Sequence, residues 1–336
     1  MMVRERLSIG DFDYADTKHI LLCGDVGYIK YCGLTMTSIF MSNPQQHFEI
    51  HLVCDDVEEK DYKKLEETSG RFNVNINIYK LNYDVISSLI GSVNKSLHIS
   101  VATFFRLEAF NLLHEVTEKL LYMDSDIMVV GNISAFWECN LSDREYAVVV
   151  KDVLEGYHKQ RIKVSKYFNA GIVFVDLKKW NNSNFTNICI ENIKKYHYEY
   201  MDQDALNVVL DGKCLYLPKE YDFICDLGEE IDKVTKPSMA DIIPNDVRII
   251  HFCGRSKPWC SWVQDFRIVK KYMEMLKASS WSDTPVYNVA DCNDKRFRYK
   301  YAHMAAKAAY KEGRFFESIR YYNYYFAYKI QYMLSK

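Results

Sequence analysis

The chain has 336 residues, 49% of them hydrophobic and 26% charged, with a formal net charge of −2 at neutral pH. That composition excludes disordered, collagen-like and coiled-coil classes, and no nucleic-acid partner is expected. Ten cysteines occur without a C-x-x-C spacing, several in apolar runs (Cys23, Cys54, Cys253), which reads as free thiols in a reducing compartment. The lead, MMVRERLSIGDFDYADTKH, is polar, with neither a strand nor an apolar signal segment, and no apolar run reaches the roughly 18 residues of a membrane span. A cytosolic protein is the expectation.

HILLCGD, His19 to Asp25, is the first predicted strand, and YCGLTMTSIFMSN follows with helical spacing and Pro44 just beyond. FEIHLVCDD is a second strand and VEEKDYKKLEETSG a polar helix closed by Gly70. NVNINIYKL alternates as a third strand, HISVATFFRLEAFNLL is helical, and KLLYMDSD is again a strand. This alternation over the first ~130 residues indicates an α/β fold with a parallel, doubly wound sheet. In such sheets ligands bind beyond the carboxyl ends of the strands. Asp25 and Asp124 end strands of this kind and are expected to share one crevice.

After Val130 the pattern becomes richer in strands, with YAVVVKD and YFNAGIVFVDLKKW. A long helix is expected around Phe185 to His197, a helix opening at DQDALNVVLDG, and a short strand at CLYLP. VRIIHFCGRSKPW is a strand running into a loop with Gly254 and Pro258, and helical pattern resumes near Val263. Residues 294–336 carry ten Lys/Arg against three Asp/Glu among many Tyr and Phe, and read as two helices broken near Gly313.

D-x-D occurs three times. Asp11 and Asp13 lie in the polar lead, where a solvated surface pair is the expectation. Asp202 and Asp204 open a helix, where acids cap and complement the dipole. Only Asp124 and Asp126 interrupt a buried apolar run, LLYMDSDIMV, and leaving two acids there is costly unless a cation sits between them. The bland alternative is an Asp-capped turn. The sharper one is a Mg²⁺ or Mn²⁺ site that holds a diphosphate, since hard carboxylate oxygens suit those ions. HFCGRSKPW supplies partner types: His251 at a strand end as a ligand, Gly254 for close backbone approach, and Lys257 as a point cation for phosphate.

LLYMDSD, YFNAGIVFVDLKKW, DQDALN and HFCGRSKPW stand in the order found in glycosyltransferase family 8, and the chain resembles that family from about His19 to Trp259. The tail, with FFESIRYYNYYFAYKI, resembles the C-terminal segment of the bacterial lipopolysaccharide core glucosyl- and galactosyltransferases in it. The resemblance implies a GT-A fold, Rossmann-like, with a mostly parallel central sheet flanked by helices, over residues 19–262. A helical connection would span 263–293, and 294–336 would be a basic, aromatic helical appendage. Asp124, Asp126 and His251 would bind Mn²⁺, with Mg²⁺ an alternative, and with Gly254 and Lys257 would hold the diphosphate of UDP-glucose or UDP-galactose. Asp25 would sit near uracil and ribose, and Tyr28 would stack on the base. Arg106 would reach sugar and phosphates, and Asn169 and the Asp202–Gln203 pair would surround the donor sugar. His98 would lie near the phosphate or the acceptor, the outer core of lipopolysaccharide, and the family often has Asn where this chain has Gly27.

The family retains configuration, and a double displacement would need a carboxylate nucleophile. Gln203 stands at the matching place, flanked by Asp202, with Asp152 a further acid in reach by analogy. The expectation is therefore a front-face substitution. The basic tail implies peripheral attachment to an anionic inner-membrane surface, against a plain hairpin packed on the core. Two other functions compete: a non-catalytic interaction protein built on the tail, and an aspartate-nucleophile phosphatase. The latter expects its first acid after the first strand, where DSDIM does not lie.

Overall fold

The computed structural model describes residues 3–82, 104–196, 198–237 and 243–335. Its first half runs β1 (Val3–Ile9), β2 (Thr17–Gly24), α1 (Ile29–Ser42), β3 (His47–Cys54), α2 (Glu59–Phe72), β4 (Asn75–Leu81), α3 (Phe105–Leu113), β5 (Lys119–Met123) and β6 (Ile127–Val129). Then come α4 (Ala135–Glu138), β7 (Ala147–Lys151), α5 (Glu155–Ile162), β8 (Phe168–Asp176), α6 (Leu177–Asn182), α7 (Phe185–Lys195), α8 (Met201–Val209) and β9 (Cys214–Leu217). The remainder is β10 (Phe223–Ile224), α9 (Leu227–Lys233), β11 (Ile249–His251), α10 (Arg267–Ala278), α11 (Lys295–Lys311) and α12 (Phe315–Met333).

An eight-stranded sheet has the order β1-β4-β3-β2-β5-β8-β7-β9. The run β4-β3-β2-β5 is parallel, as the alternating strands and helices require, while β8 is antiparallel to both its neighbours. Both faces are covered, so β2 reads as an unbroken apolar run. Ile20 and Leu22 pack into one core with α1 and α10, and Leu21 and Cys23 into the other with α3.

The polar lead differs from expectation. VRERLSI is a strand, β1, antiparallel to β4 at the sheet edge. Only Ile9 of it is buried, so backbone pairing holds it and no hydrophobic alternation marks it. Gly70 likewise does not close its helix: α2 runs on to Phe72 and stops at Asn73, whose φ of 54° is left-handed. Asp11 and Asp13 are exposed, as the sequence suggests.

The chain leaves the large sheet after Met123 and joins a second, three-stranded sheet, β10-β11-β6, at Ile127. The acids Asp124 and Asp126 occupy this crossover. Thr35 of α1 clamps it, its hydroxyl lying 3.2 Å from the Ser125 carbonyl and 2.9 Å from that of Ile127.

The C-terminal hairpin divides in two. Ala302, Ala305 and Ala308 of α11 belong to the same core as α1 and β6, and Gly313 (φ +74°) turns the chain into α12. On α12 only Ser318 is buried. All ten cysteines are free.

Candidate active site

Strand register builds the site. Asp124 still pairs with β8, its N–H donating to the Gly171 carbonyl at 2.8 Å. Three residues on, β6 runs antiparallel to β11 with Ile127 opposite His251, which sets the imidazole beside the acids. His251 Nε2 lies 3.3 Å from Asp126 Oδ1 and 3.7 Å from Asp124 Oδ2. Gly171 makes the approach possible: a Cβ there would stand 2.2 Å from His251 Cε1 and 2.9 Å from Asp124 Oδ2.

Asp222, a residue that sequence reading did not single out, lies behind the imidazole, its Oδ1 3.0 Å from His251 Nδ1. It is buried and precedes the two-residue strand β10, where neither spacing nor periodicity marks it. A carboxylate on the far nitrogen directs Nε2 toward the two acids, the usual support of a metal-binding histidine.

Charges balance locally. Burial favours the neutral form of Asp126, yet Lys257 and His251 outweigh it and hold its carboxyl well below the usual range. Lys257 Nζ sits 2.5 Å from Asp126 Oδ2 and 2.7 Å from the Phe252 carbonyl. Burial works to discharge Lys257, and Asp126 more than offsets it. His251 follows the same logic: burial lowers its pKa, while the Cys253 thiol, Asp126 and Asp222 raise it well above the ordinary value.

These residues fit a divalent cation. Asp126 Oδ1 is buried, accepts no hydrogen bond from the described residues and faces His251 Nε2 at 3.3 Å, and a cation held by both would satisfy that oxygen and the imidazole nitrogen together. Two carboxylates and one imidazole, with donor atoms all within 4.8 Å of one another, form an oxygen-rich set suited to Mn²⁺ or Mg²⁺.

Arg106 is buried. Its Nε lies 2.6 Å from Asp202 Oδ2, its Nη1 3.8 Å from Asp124 Oδ1, and its guanidinium 4.6 Å from the Tyr122 ring centroid. Tyr122 hydroxyl donates to Asp124. Asp202 is pushed up to about 6 by burial, against the pull of Arg106 and with a further push from Asp124. Gln203 accepts from the Ala170 N–H at 2.9 Å and donates to the Tyr167 hydroxyl at 2.9 Å. Asn169 accepts from the Gly171 N–H at 2.8 Å and donates to Asp152 at 3.4 Å. Asp152 also accepts from the Leu154 N–H at 2.7 Å. Asp204 stabilises its helix as expected, accepting from the Tyr200 N–H, and is locked by Arg161 with two contacts of 2.7 Å.

Asp25, Tyr28, Gly254 and Lys257 meet around a cavity of about 730 Å³. Asp25 follows β2 directly and accepts from the Gly27 N–H at 3.0 Å. Gly254 adopts φ +77°, and a Cβ there would lie 2.3 Å from Asp226 Oδ2. His98 lies outside the described residues.

A mostly parallel central sheet flanked by helices is the GT-A fold of glycosyltransferases. The fold matches the galactosyltransferase LgtC in complex with donor and acceptor sugar analogues, with a TM-score of 0.64 at 23% identity over 78% of this chain and 96% of that one. Residues 19–263 match the model of Glycosyl transferase family 8, and the chain belongs to that family. It is 30% identical over 285 residues to the lipopolysaccharide 1,2-glucosyltransferase of Escherichia coli K12, covering 82% of each chain. It is 26% identical to the lipopolysaccharide 1,3-galactosyltransferase of Salmonella typhimurium, over 95% of each.

Proposed function

We propose that the protein transfers glucose or galactose from a UDP-sugar to the outer core of lipopolysaccharide with retention of configuration. The observation that carries this reading is the clamp of Asp124, Asp126 and His251, backed by Asp222 and adjoined by Lys257, in a chain of family 8. A Mn²⁺ or Mg²⁺ held by the clamp would act as a Lewis acid and offset charge on the departing diphosphate. Lys257 adds a second cation for the same phosphates, and Gly254 lets the backbone approach them. Asp25 and Tyr28 take the nucleoside.

The acids near the donor sugar support front-face substitution. Asp152 is tied to Leu154 and Asn169, Asp202 is paired with Arg106, and Gln203 is held at both ends of its amide. In this reading the anomeric carbon–phosphate oxygen bond breaks and the acceptor oxygen bonds to the same face. The acceptor proton passes to the departing phosphate, and Asp202 and Gln203 orient the sugar. A glycosyl adduct trapped on Asp152 or Asp202 would contradict this route.

The outer helix of the tail suits peripheral attachment to an anionic membrane. Phe316, Ile319, Phe326, Ile330 and Met333 recur at helical spacing and are all exposed, beside Arg320 and Lys329. Among the described residues no helix is long and apolar enough to cross a membrane.

The test of the clamp is thermal stability with UDP, with and without Mn²⁺. At a hundred times its dissociation constant a ligand adds about 2.7 kcal/mol. The wild type should gain this only when both are present, and Asp126→Asn should lose the gain. No gain in the wild type at saturation would overturn the reading.

A further inference from the structure

The cavity that holds Asp25, Tyr28 and Lys257 is closed on another side by the C-terminal hairpin. Arg296, Phe297 and Tyr301 of α11 line it, and so does Arg255 of the loop that follows β11. We propose that α11 is a wall of the nucleotide pocket, with Arg296 and Phe297 contacting the nucleoside diphosphate beyond its metal-held phosphates. This rests on the donor reading above and adds a segment that the catalytic motifs do not contain.

Three observations carry it. First, the lining is continuous. Lys257, which touches Asp126, and Arg296 with Phe297 open onto the same space, whose volume lies within the range of cofactor and ligand sites. Second, α11 braces the phosphate loop itself. Arg255 stacks its guanidinium 4.4 Å from the Phe297 ring centroid, and Trp262 stacks on Tyr301 at 5.0 Å. Ser256 accepts from Trp262 Nε1 at 3.0 Å and its hydroxyl contacts Met304 Sδ at 3.1 Å.

Third, positive charge outweighs the one acid, Asp25, in the lining of this cavity: Lys30, Arg255, Lys257 and Arg296 line it as well. Neither the Arg255 nor the Arg296 guanidinium meets a carboxylate among the described residues. Lys300 one turn along is lowered by burial and then by these two arginines. A guanidinium beside aromatic rings in a concave space suits the part of a nucleotide beyond the phosphates: it donates hydrogen bonds to base carbonyl oxygens or ribose hydroxyls, and the rings offer a face to stack on. The buried alanine face of α11, on the common core, keeps this wall in place.

The experiment measures binding of UDP and of pyrophosphate, each with saturating Mn²⁺, by calorimetry on the full chain. Wild type, Asp126→Asn, Arg296→Gln and Phe297→Leu are compared. Arg296→Gln should weaken UDP by roughly tenfold, as loss of a hydrogen bond to a charged group does, and leave pyrophosphate unchanged. Phe297→Leu should weaken UDP in the same selective way. Unchanged UDP affinity in both variants, with Asp126→Asn still defective, would overturn the wall and spare the donor reading. Equal losses for UDP and pyrophosphate would also overturn it, since the helix would then act only by bracing the Lys257 loop. Absence of UDP binding in the wild type would remove both proposals together.

Discussion

At the scale of single residues, the site depends on buried charges that neutralise one another. Asp126 is held between Lys257 at 2.5 Å and His251 at 3.3 Å. Replacing it by Asn leaves Lys257 without its carboxylate, while His251 keeps Asp222 and Asp124, and breaking a buried pair costs about 3–5 kcal/mol. Asp126→Asn should therefore lower the melting temperature even without ligand, so the ligand-induced gain, not the absolute temperature, is the quantity to compare. Asp222 acts one step back. Asp222→Asn should reduce Mn²⁺ affinity by about 10- to 100-fold while Asp124, Asp126 and His251 remain, measured by titrating Mn²⁺ at constant UDP. Unchanged affinity would mean that Asp222 only fills space. Gly171→Ala should also weaken Mn²⁺ binding, because its methyl would displace the imidazole that stands 2.2 Å from the Cβ position.

At the scale of elements, the two tail helices take different work. The inner helix α11 lies on the core and the pocket, while α12 keeps its large apolar residues outward, Phe316 at 93% exposure. Membrane attachment should therefore be separable from donor binding. Substituting Phe316 and Phe326 together by Gln should release the protein from vesicles containing phosphatidylglycerol in a flotation assay, and leave UDP affinity unchanged. Retention on such vesicles would end the membrane role of α12. A double variant is preferable to deletion, since α12 packs against α11 through pairs such as His303 and Tyr325, 4.8 Å apart.

At the scale of the whole molecule, a buried histidine on the sheet sets a pH response distant in sequence from the catalytic motifs. His51 on β3 is buried, with its pKa pushed down to about 3 by desolvation and by His19 on β2. Around it stand Glu49 on β3, Tyr79 on β4, and Arg6 of β1 over the Tyr79 ring. In the unfolded chain the same group titrates near 6.5. Below that pH the unfolded state takes a proton that the folded state refuses. Stability therefore falls with acidification, by about 1.4 kcal/mol per pH unit from this group, down to about pH 3. His51→Gln should remove that part of the slope in urea midpoints measured between pH 6.5 and pH 4.5. An identical slope in the variant would show that other groups carry it.

The sequence by itself determined the parallel sheet and the pair of acids worth attention. Apolar runs such as LLCG and HLVC mark strands covered on both faces, and a carboxylate pair interrupting such a run has few explanations. It marked Lys257 and His251 as partner types and the tail as a compositional boundary. What it did not carry is anything held by backbone pairing or by long-range contact. The strand β1 is polar outside and has no pattern to read. Asp222 becomes a partner of His251 only because β10 runs parallel to β11, 29 positions apart in the Asp222–His251 contact. The ion pair of Arg106 with Asp202 likewise exists only because α8 packs near α3. The place of α11 against the pocket was decided in the same way. Periodicity reports which face of an element is apolar, and only packing decides what that face meets.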